Sequence, residues 1–289
     1  MAKTKQKDTA KTKKEVQPLH KIQGFISEYD GREVSFDEYI DSAKRGEEPG
    51  SLPVPVLEGI KNMILDQENV NGGFRVTSML GCIRQLYFET KIGTGYIKPS
   101  SYYPMFRGIM AHKVMEDFKI PGAVDEKRFT REWKGVKITG KPDRIVPSEK
   151  AIDDYKTTEK VPEFGRVYKS HEKQLNLYRW LVGEEYQIDN LRLIYMDMKT
   201  AKIMNARVWS DPELEAFLDE KVEKIKNAFD KNQIPPYEKI WLCDYCQHTV
   251  QCREHALNTF LDQLAERVEK GESLSKAEIV KRMKNLTIL

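Results

Sequence analysis

This chain lacks a glycine-rich phosphate loop. The pattern GxxxxGK[ST] occurs nowhere in its 289 residues, and without that phosphate loop ATP-driven chemistry is not expected. No apolar run approaches the roughly 20 residues of a membrane helix. The Lys-rich opening MAKTKQKDTAKTKKEVQPLH lacks the apolar stretch of a secretory leader. A cytoplasmic location without membrane contact is the expectation. Internal repeats are absent. Cysteine is scarce, with four in all. Disulfides do not suit a cytoplasmic chain of this size, and few, closely spaced thiols point to a metal.

Charge of one sign is also in short supply. The whole chain carries +3. Residues 1–20 hold six lysines against Asp8 and Glu15, a local +4, so everything after them sums to −1. That tail reads as a disordered basic arm. Any nucleic-acid contact by the folded part must then use local patches. One candidate is KRFTREWKGVKITGK, residues 127–141, where six Lys/Arg face only Glu132.

Polar–apolar patterning gives the organisation. Two short amphipathic helices are expected within a helical extension at 21–74, in VSFDEYIDSAKRG and PVPVLEGIKNMILDQEN. A helix over VTSMLGCIRQLYFETK would be capped by Thr77 or Ser78. IGTGYIKPSSYYPMFR reads as an aromatic, basic loop, with Tyr96, Tyr102, Tyr103 and Phe106 able to stack bases. GIMAHKVMEDF is helical. A β-meander follows over 124–158, then the helix SHEKQLNLYRWLV, the strand pair NLRLIYMDM and KIMNARVW, and a helix beginning at SDPELEAFL. This order indicates an α/β fold, a small mixed sheet flanked by helices. A main domain at 75–255 and a helical extension at 256–289 complete the layout.

The segment GKPDRIVPSEKAIDDYKTT, residues 140–158, carries the chemistry. Alternation along a strand places Asp154 and Lys156 on one face, with Asp153 and Tyr155 on the other. Antiparallel pairing of 140–146 with 151–157 brings Asp143 and Asp154 within reach of one cation. Hard oxygen ligands of this kind suit Mg²⁺ or Mn²⁺. A lysine beside them orients a water and neutralises developing charge on phosphate.

With its neighbours, this segment resembles the PD-(D/E)xK nuclease superfamily, in its RecB-like branch. GKPD and AIDDYKTT match the two central motifs of that branch. RGIMAH matches its G-x-x-x-H helix through Gly108 and His112, and QLNLY its Q-x-x-x-Y helix through Gln174 and Tyr178. The resemblance implies a restriction-endonuclease-like core. It implies His112, Asp143, Asp154 and the Tyr155 carbonyl as metal ligands, and Lys156 as the catalytic lysine. It implies Gln174 and Tyr178 as residues that set the site and hold DNA backbone.

The cysteines are Cys82 and the cluster CDYCQHTVQC, which holds Cys243, Cys246 and Cys252. Four thiolates accept either tetrahedral Zn²⁺ or an iron–sulfur cluster, and spacing alone leaves both open. His248 and His255 lie close enough to compete for zinc. One distant cysteine before a nuclease core and three after it resembles the iron–sulfur RecB-like nucleases. These include the CRISPR-associated iron–sulfur exonucleases and the nuclease domain of AddB. The resemblance implies a 4Fe-4S cluster in a lobe that staples the N- and C-terminal segments together. It further implies a metal-dependent DNA exonuclease preferring single-stranded ends, of bacterial or phage origin. Such an enzyme acts in recombination, repair or replication, with a recombination or replication protein as a possible partner. Two alternatives stand beside it: a structure-specific endonuclease, and a DNA-binding or assembly subunit with a vestigial site.

Overall fold

The computed structural model describes residues 21–66, 73–92, 94–163, 165–240, 243, 246, 248–272, 275–276 and 279–280. The basic tail at 1–20 and the last residues of the C-terminal extension lie outside them. No described helix is long and apolar enough to cross a membrane.

The chain begins with β1 (Lys21–Ile26), β2 (Glu33–Ser35), α1 (Phe36–Lys44) and α2 (Val54–Leu65). Ser35 starts α1 because its hydroxyl accepts from the Glu38 amide at 3.2 Å, a role for which serine is favoured. Next come β3 (Phe74–Arg75), α3 (Val76–Leu80), α4 (Ile83–Ile92), β4 (Thr94–Ile97) and α5 (Pro99–Asp117). The central stretch holds β5 (Val124–Asp125), β6 (Phe129–Trp133), β7 (Val136–Gly140), β8 (Arg144–Val146) and β9 (Ala151–Thr157). The remainder is α6 (Lys169–Val182), β10 (Asn190–Met196), β11 (Ala201–Asn205), α7 (Asp211–Phe229) and α8 (Thr249–Glu269).

The architecture is mixed α/β, with small sheets flanked by helices. A five-stranded sheet has the order β11-β10-β9-β8-β5. Its centre, β9, runs antiparallel to β8 and parallel to β10, and α6 makes the crossover between the parallel pair. Two three-stranded sheets, β2-β1-β4 and β3-β7-β6, lie beside it. The expected meander over 124–158 therefore divides: β6 and β7 leave for a separate sheet, and the break falls at Lys141-Pro142-Asp143. Proline has no amide to give to a ladder, so it interrupts pairing there.

Three local expectations are corrected. Residues 21–74 are not wholly helical, since β1 and β2 pair with each other and β1 pairs in parallel with β4. The helix expected over 76–91 is broken at Gly81-Cys82, and α3 is entered from Arg75 with no side-chain cap. The supposed aromatic loop is β4 and the first half of α5. Tyr102 and Phe106 are buried in a core with Phe25, Tyr39, Ile40, Leu57 and Ile60, so they do not offer faces to bases. The larger core packs α6 and α7 against the central sheet, through Leu175, Leu177, Leu193, Leu218 and Val222 among others. Helix α5 thus serves two masters: its first half fills the N-terminal core, and its second half reaches β9.

Candidate active site

Strand β9 positions the chemistry. Register pairs Arg144 with Asp153, Ile145 with Ile152 and Val146 with Ala151. One step further along the hairpin, Asp143 comes opposite the Asp154–Tyr155 segment, and its Oδ2 accepts the Tyr155 amide at 2.7 Å. Alternation holds as expected. Asp154 and Lys156 share a face, with Lys156 Nζ 2.6 Å from Asp154 Oδ2. On the opposite face Asp153 pairs with Arg192, and the Tyr155 ring lies under the Arg144 guanidinium.

Helix α5 brings His112 to the same place. Its Nε2 is 2.6 Å from the Tyr155 carbonyl, and Nδ1 is 3.5 Å from Asp143 Oδ1. Arg144 anchors the C-terminal end of that helix, donating to the carbonyls of Met115 at 3.1 Å and Phe118 at 2.6 Å while pairing with Asp125. Those carbonyls have no partner within the helix, so a cation there satisfies them and complements the helix dipole.

A third acid joins this group. Ligand atoms of His112, Glu126 and Asp143 all lie within 4.8 Å of one another. Asp154 lies outside that trio, although its charge is felt by His112. Glu126 thus joins His112 and Asp143, while Asp154 lies against Lys156 and close enough to His112 and Asp143 for their charges to act on it. Glu126 was not legible as a site residue. It follows the two-residue strand β5 in a left-handed conformation, φ 52°, and its amide donates to the Asp143 carbonyl at 3.1 Å. No pattern in VDEKRF announces that turn.

The electrostatics suit a cation. Asp154 is fully buried, and neither carboxylate oxygen has a directed hydrogen bond. Its pKa is raised, burial outweighing the attraction of Lys156. Glu126 is raised too, by burial, against the pull of Lys141. Burial opposes the charged form of His112, but the hydrogen bond and charge of Asp143 outweigh it and lift the imidazole above its ordinary value. A buried carboxylate is costly unless positive charge compensates it, and Lys156 at 2.6 Å supplies only part of what Asp154 needs, since burial still outweighs it. The donor set is oxygen plus one imidazole, which fits Mg²⁺ or Mn²⁺.

Tyr178 and Gln174 complete the wall on α6. Gln174 Nε2 donates to the Tyr178 hydroxyl at 3.1 Å. The phenol is pushed up by burial first and by Asp154 second, which locates it beside the acids. Gly140 makes room for it, since a Cβ there would lie 2.8 Å from Tyr178 Cε1.

The basic run at 127–141 is largely neutralised. Lys127 pairs with Glu185, Arg131 with Glu184 at 3.0 Å, Lys134 with Asp219 at 2.7 Å and Lys141 with Glu126.

The four cysteines surround one cavity together with Arg84, Phe88 and Tyr237. Cys82 sits just before α4, and its Sγ accepts the Gln85 amide at 3.4 Å. Cys243 accepts from the Ile240 amide at 3.4 Å, and Cys252 from Arg84 Nε at 3.0 Å. Burial raises Cys246 to about 11. No three of the four sulfurs lie within 4.8 Å of one another. A tetrahedral zinc site, with Zn–S near 2.3 Å, places its sulfurs about 3.8 Å apart. His255 is turned to Arg84, with Nδ1 3.2 Å from a guanidinium nitrogen.

The sequence pattern of the PD-(D/E)XK nuclease superfamily matches residues 109–253. The chain belongs to that superfamily. The match includes His112, Glu126, Asp143, Asp154, Lys156, Gln174 and Tyr178, and three of the four cysteines. Among solved structures, the chain is similar to SSO0001, with a TM-score of 0.47, 19% identity and coverage of 68% of this chain and 92% of that one. It is also similar to a phage-related exonuclease from Haemophilus somnus, with a TM-score of 0.29, 18% identity and coverage of 74% and 92%. No curated protein matches it.

Proposed function

We propose that this superfamily member is a divalent-metal-dependent deoxyribonuclease of the RecB-like branch, removing nucleotides from single-stranded DNA ends. The observation that carries this reading is Asp154: a wholly buried carboxylate whose one close partner is Lys156 at 2.6 Å, next to a cluster of cation ligands. A fold gains nothing from that arrangement by itself. A hydrolytic site does.

His112, Asp143, Asp154 and the Tyr155 carbonyl, joined by Glu126, would hold the cation. Such a cation polarises a phosphodiester and lowers the pKa of a bound water. Lys156, mostly buried and paired with Asp154, orients the attacking water and offsets the charge gathering on phosphorus. Asp143 holds the Tyr155 amide and so fixes the direction of the neighbouring carbonyl. Gln174 and Tyr178 hold the wall against which the strand lies.

Cys82, Cys243, Cys246 and Cys252 would carry a 4Fe-4S cluster. In support stand the gathering of the four cysteines around one cavity and the N–H···S contacts from Gln85, Ile240 and Arg84. The cluster would join α4 to the start of α8, tying residue 82 to residue 252 and closing a long loop.

The test uses end-labelled linear and circular single strands with Mn²⁺. The parent releases mononucleotides or short products from linear DNA and leaves circles intact, and Asp154→Ala releases none. Cleavage of circles would make the enzyme an endonuclease. Undiminished activity of Asp154→Ala would remove the site assignment. Protein purified without oxygen is expected to be brown; a colourless, zinc-containing preparation would refute the cluster.

A further inference from the structure

One imidazole beside Lys156 has been given no role in the reaction. The parallel register of β9 and β10 sets Tyr195 next to Lys156 and Leu193 next to Asp154. Side chains paired across a ladder leave the sheet on the same side, so Tyr195 and Lys156 are neighbours on the face that carries Asp154. Helix α6 packs on that face. Along it, His171, Gln174 and Tyr178 fall at i, i+3 and i+7, on one side of the helix. Gln174 and Tyr178 already border the acids. His171 extends the row over β10: its Nδ1 is 2.9 Å from the Tyr195 hydroxyl, and the charge of Lys156 acts on its ring.

The hydrogen bonds fix the tautomer of this imidazole. Tyr195 is fully buried, and its oxygen accepts the Tyr168 amide at 3.2 Å. The buried phenolic proton needs an acceptor, and His171 Nδ1 is the one within reach. With Nδ1 accepting, the ring proton sits on Nε2. Burial first, and Lys156 second, hold the imidazole well below its ordinary pKa, so the ring is neutral near pH 7. Nε2–H has no hydrogen-bond partner among the described residues, and it is not sealed from solvent. The half-exposed Tyr168 ring stands edge-to-face against the imidazole, with centroids 5.4 Å apart. The fold thus clamps one nitrogen of the ring and leaves the other, a donor, unused.

We infer that His171 is a further catalytic residue, whose Nε2–H donates to a non-bridging oxygen of the phosphate under attack, on the Lys156 side of the site. The inference rests on the nuclease reading and adds to it one donor and the tyrosine that aims it. Negative charge gathers on the phosphate oxygens as the water attacks, so the bond strengthens in the transition state and acts on kcat. A neutral imidazole suits this task, since it polarises the oxygen and keeps its proton. Tyr195 is a positioning residue that acts through His171.

The experiment uses the two amides that imitate either half of the ring. Asparagine keeps an acceptor near the Nδ1 position and loses the Nε2 donor. Glutamine keeps an N–H near the Nε2 position and loses the acceptor. Hydrolysis of single-stranded DNA by the full chain is followed with Mn²⁺. His171→Asn lowers kcat roughly 100-fold with little change in KM, and His171→Gln recovers most of that loss. A phosphorothioate in place of one non-bridging oxygen slows the parent more than it slows His171→Asn, because that variant has no donor left to lose. If His171 only packs against Tyr195, the order reverses: His171→Asn matches the parent and His171→Gln falls. That reversal, or equal phosphorothioate effects for both stereoisomers in parent and His171→Asn, overturns the assignment and leaves the nuclease intact. A parent chain without Mn²⁺-dependent hydrolysis would instead overturn the nuclease reading.

Discussion

Replacing Asp154 by asparagine should make the protein more stable and inactive at once. The carboxylate is completely buried, both oxygens lack a directed hydrogen bond, and its one close partner is Lys156 at 2.6 Å. At an effective dielectric of about 20, that separation is worth roughly 6 kcal/mol of attraction. Removing the carboxylate from water costs several kcal/mol or more. The raised pKa says which wins: burial exceeds the attraction, so the ionised acid is a net burden on the metal-free fold. Each pKa unit corresponds to about 1.4 kcal/mol. Asp154→Asn keeps the shape and removes the charge, and Lys156, still about 16% exposed, retains access to water. The expected gain is about 1–3 kcal/mol at pH 8, or roughly 2–5 °C in melting temperature. The gain should vanish at pH 4, where the parent acid is itself neutral. Nuclease activity should fall at least about 100-fold. Thermal melts with and without Mn²⁺ complete the assay: the metal should stabilise the parent strongly and the variant weakly. A variant that melts below the parent at pH 8, or gains as much from Mn²⁺, would show that Asp154 is a structural acid satisfied by Lys156.

His171 supplies the pH prediction. Burial, with Lys156 second, depresses it to about 3, and its Nδ1 is 2.9 Å from the Tyr195 hydroxyl. The folded value lies below the unfolded one near 6.5, so its stabilisation is complete above pH 6.5 and lost as pH falls. Between pH 7 and pH 5 this amounts to about 2 kcal/mol. Denaturant titrations of His171→Gln should lack that limb, and identical slopes in parent and variant would count against it. Gly140→Ala places a methyl 2.8 Å from Tyr178 Cε1 and 2.9 Å from Leu181 Cδ2, and should cost about 1–3 kcal/mol in equilibrium unfolding. A neutral outcome would mean that the Tyr178 ring moves freely. Arg84 is 4% exposed and holds Cys252 Sγ, the Cys252 carbonyl and the Pro235 carbonyl. Arg84→Lys cannot reach all three, so it should destabilise the protein by about 2–4 kcal/mol and lower the iron retained per chain. Retention equal to the parent's would detach this residue from the cysteine site.

Much of the core was written in local pattern. Strand alternation in AIDDYKTT placed Asp154 with Lys156 and Asp153 with Tyr155, because a period of two follows from backbone geometry alone. The antiparallel partner of that strand was equally readable, since Pro147-Ser148 punctuates the turn. Helix α7 was readable from Leu214, Leu218, Val222 and Ile225, all buried on one face. Gln174 and Tyr178 shared a helix face by spacing, and the structure joins them by a hydrogen bond.

Other features needed the fold. Glu126 reaches His112 and Asp143 only because the chain turns through a left-handed residue after β5, and one isolated turn leaves no periodic trace. The aromatics of α5 looked like a stacking loop because Gly93, Gly95 and Pro99 suggest irregular chain. Burial against α2 made a helix of them, and tertiary packing outweighed local punctuation. Motifs that depend on backbone period are legible in one dimension. A cluster of possible cation ligands and a four-cysteine cavity are distances between remote segments, and only the packed chain defines those distances.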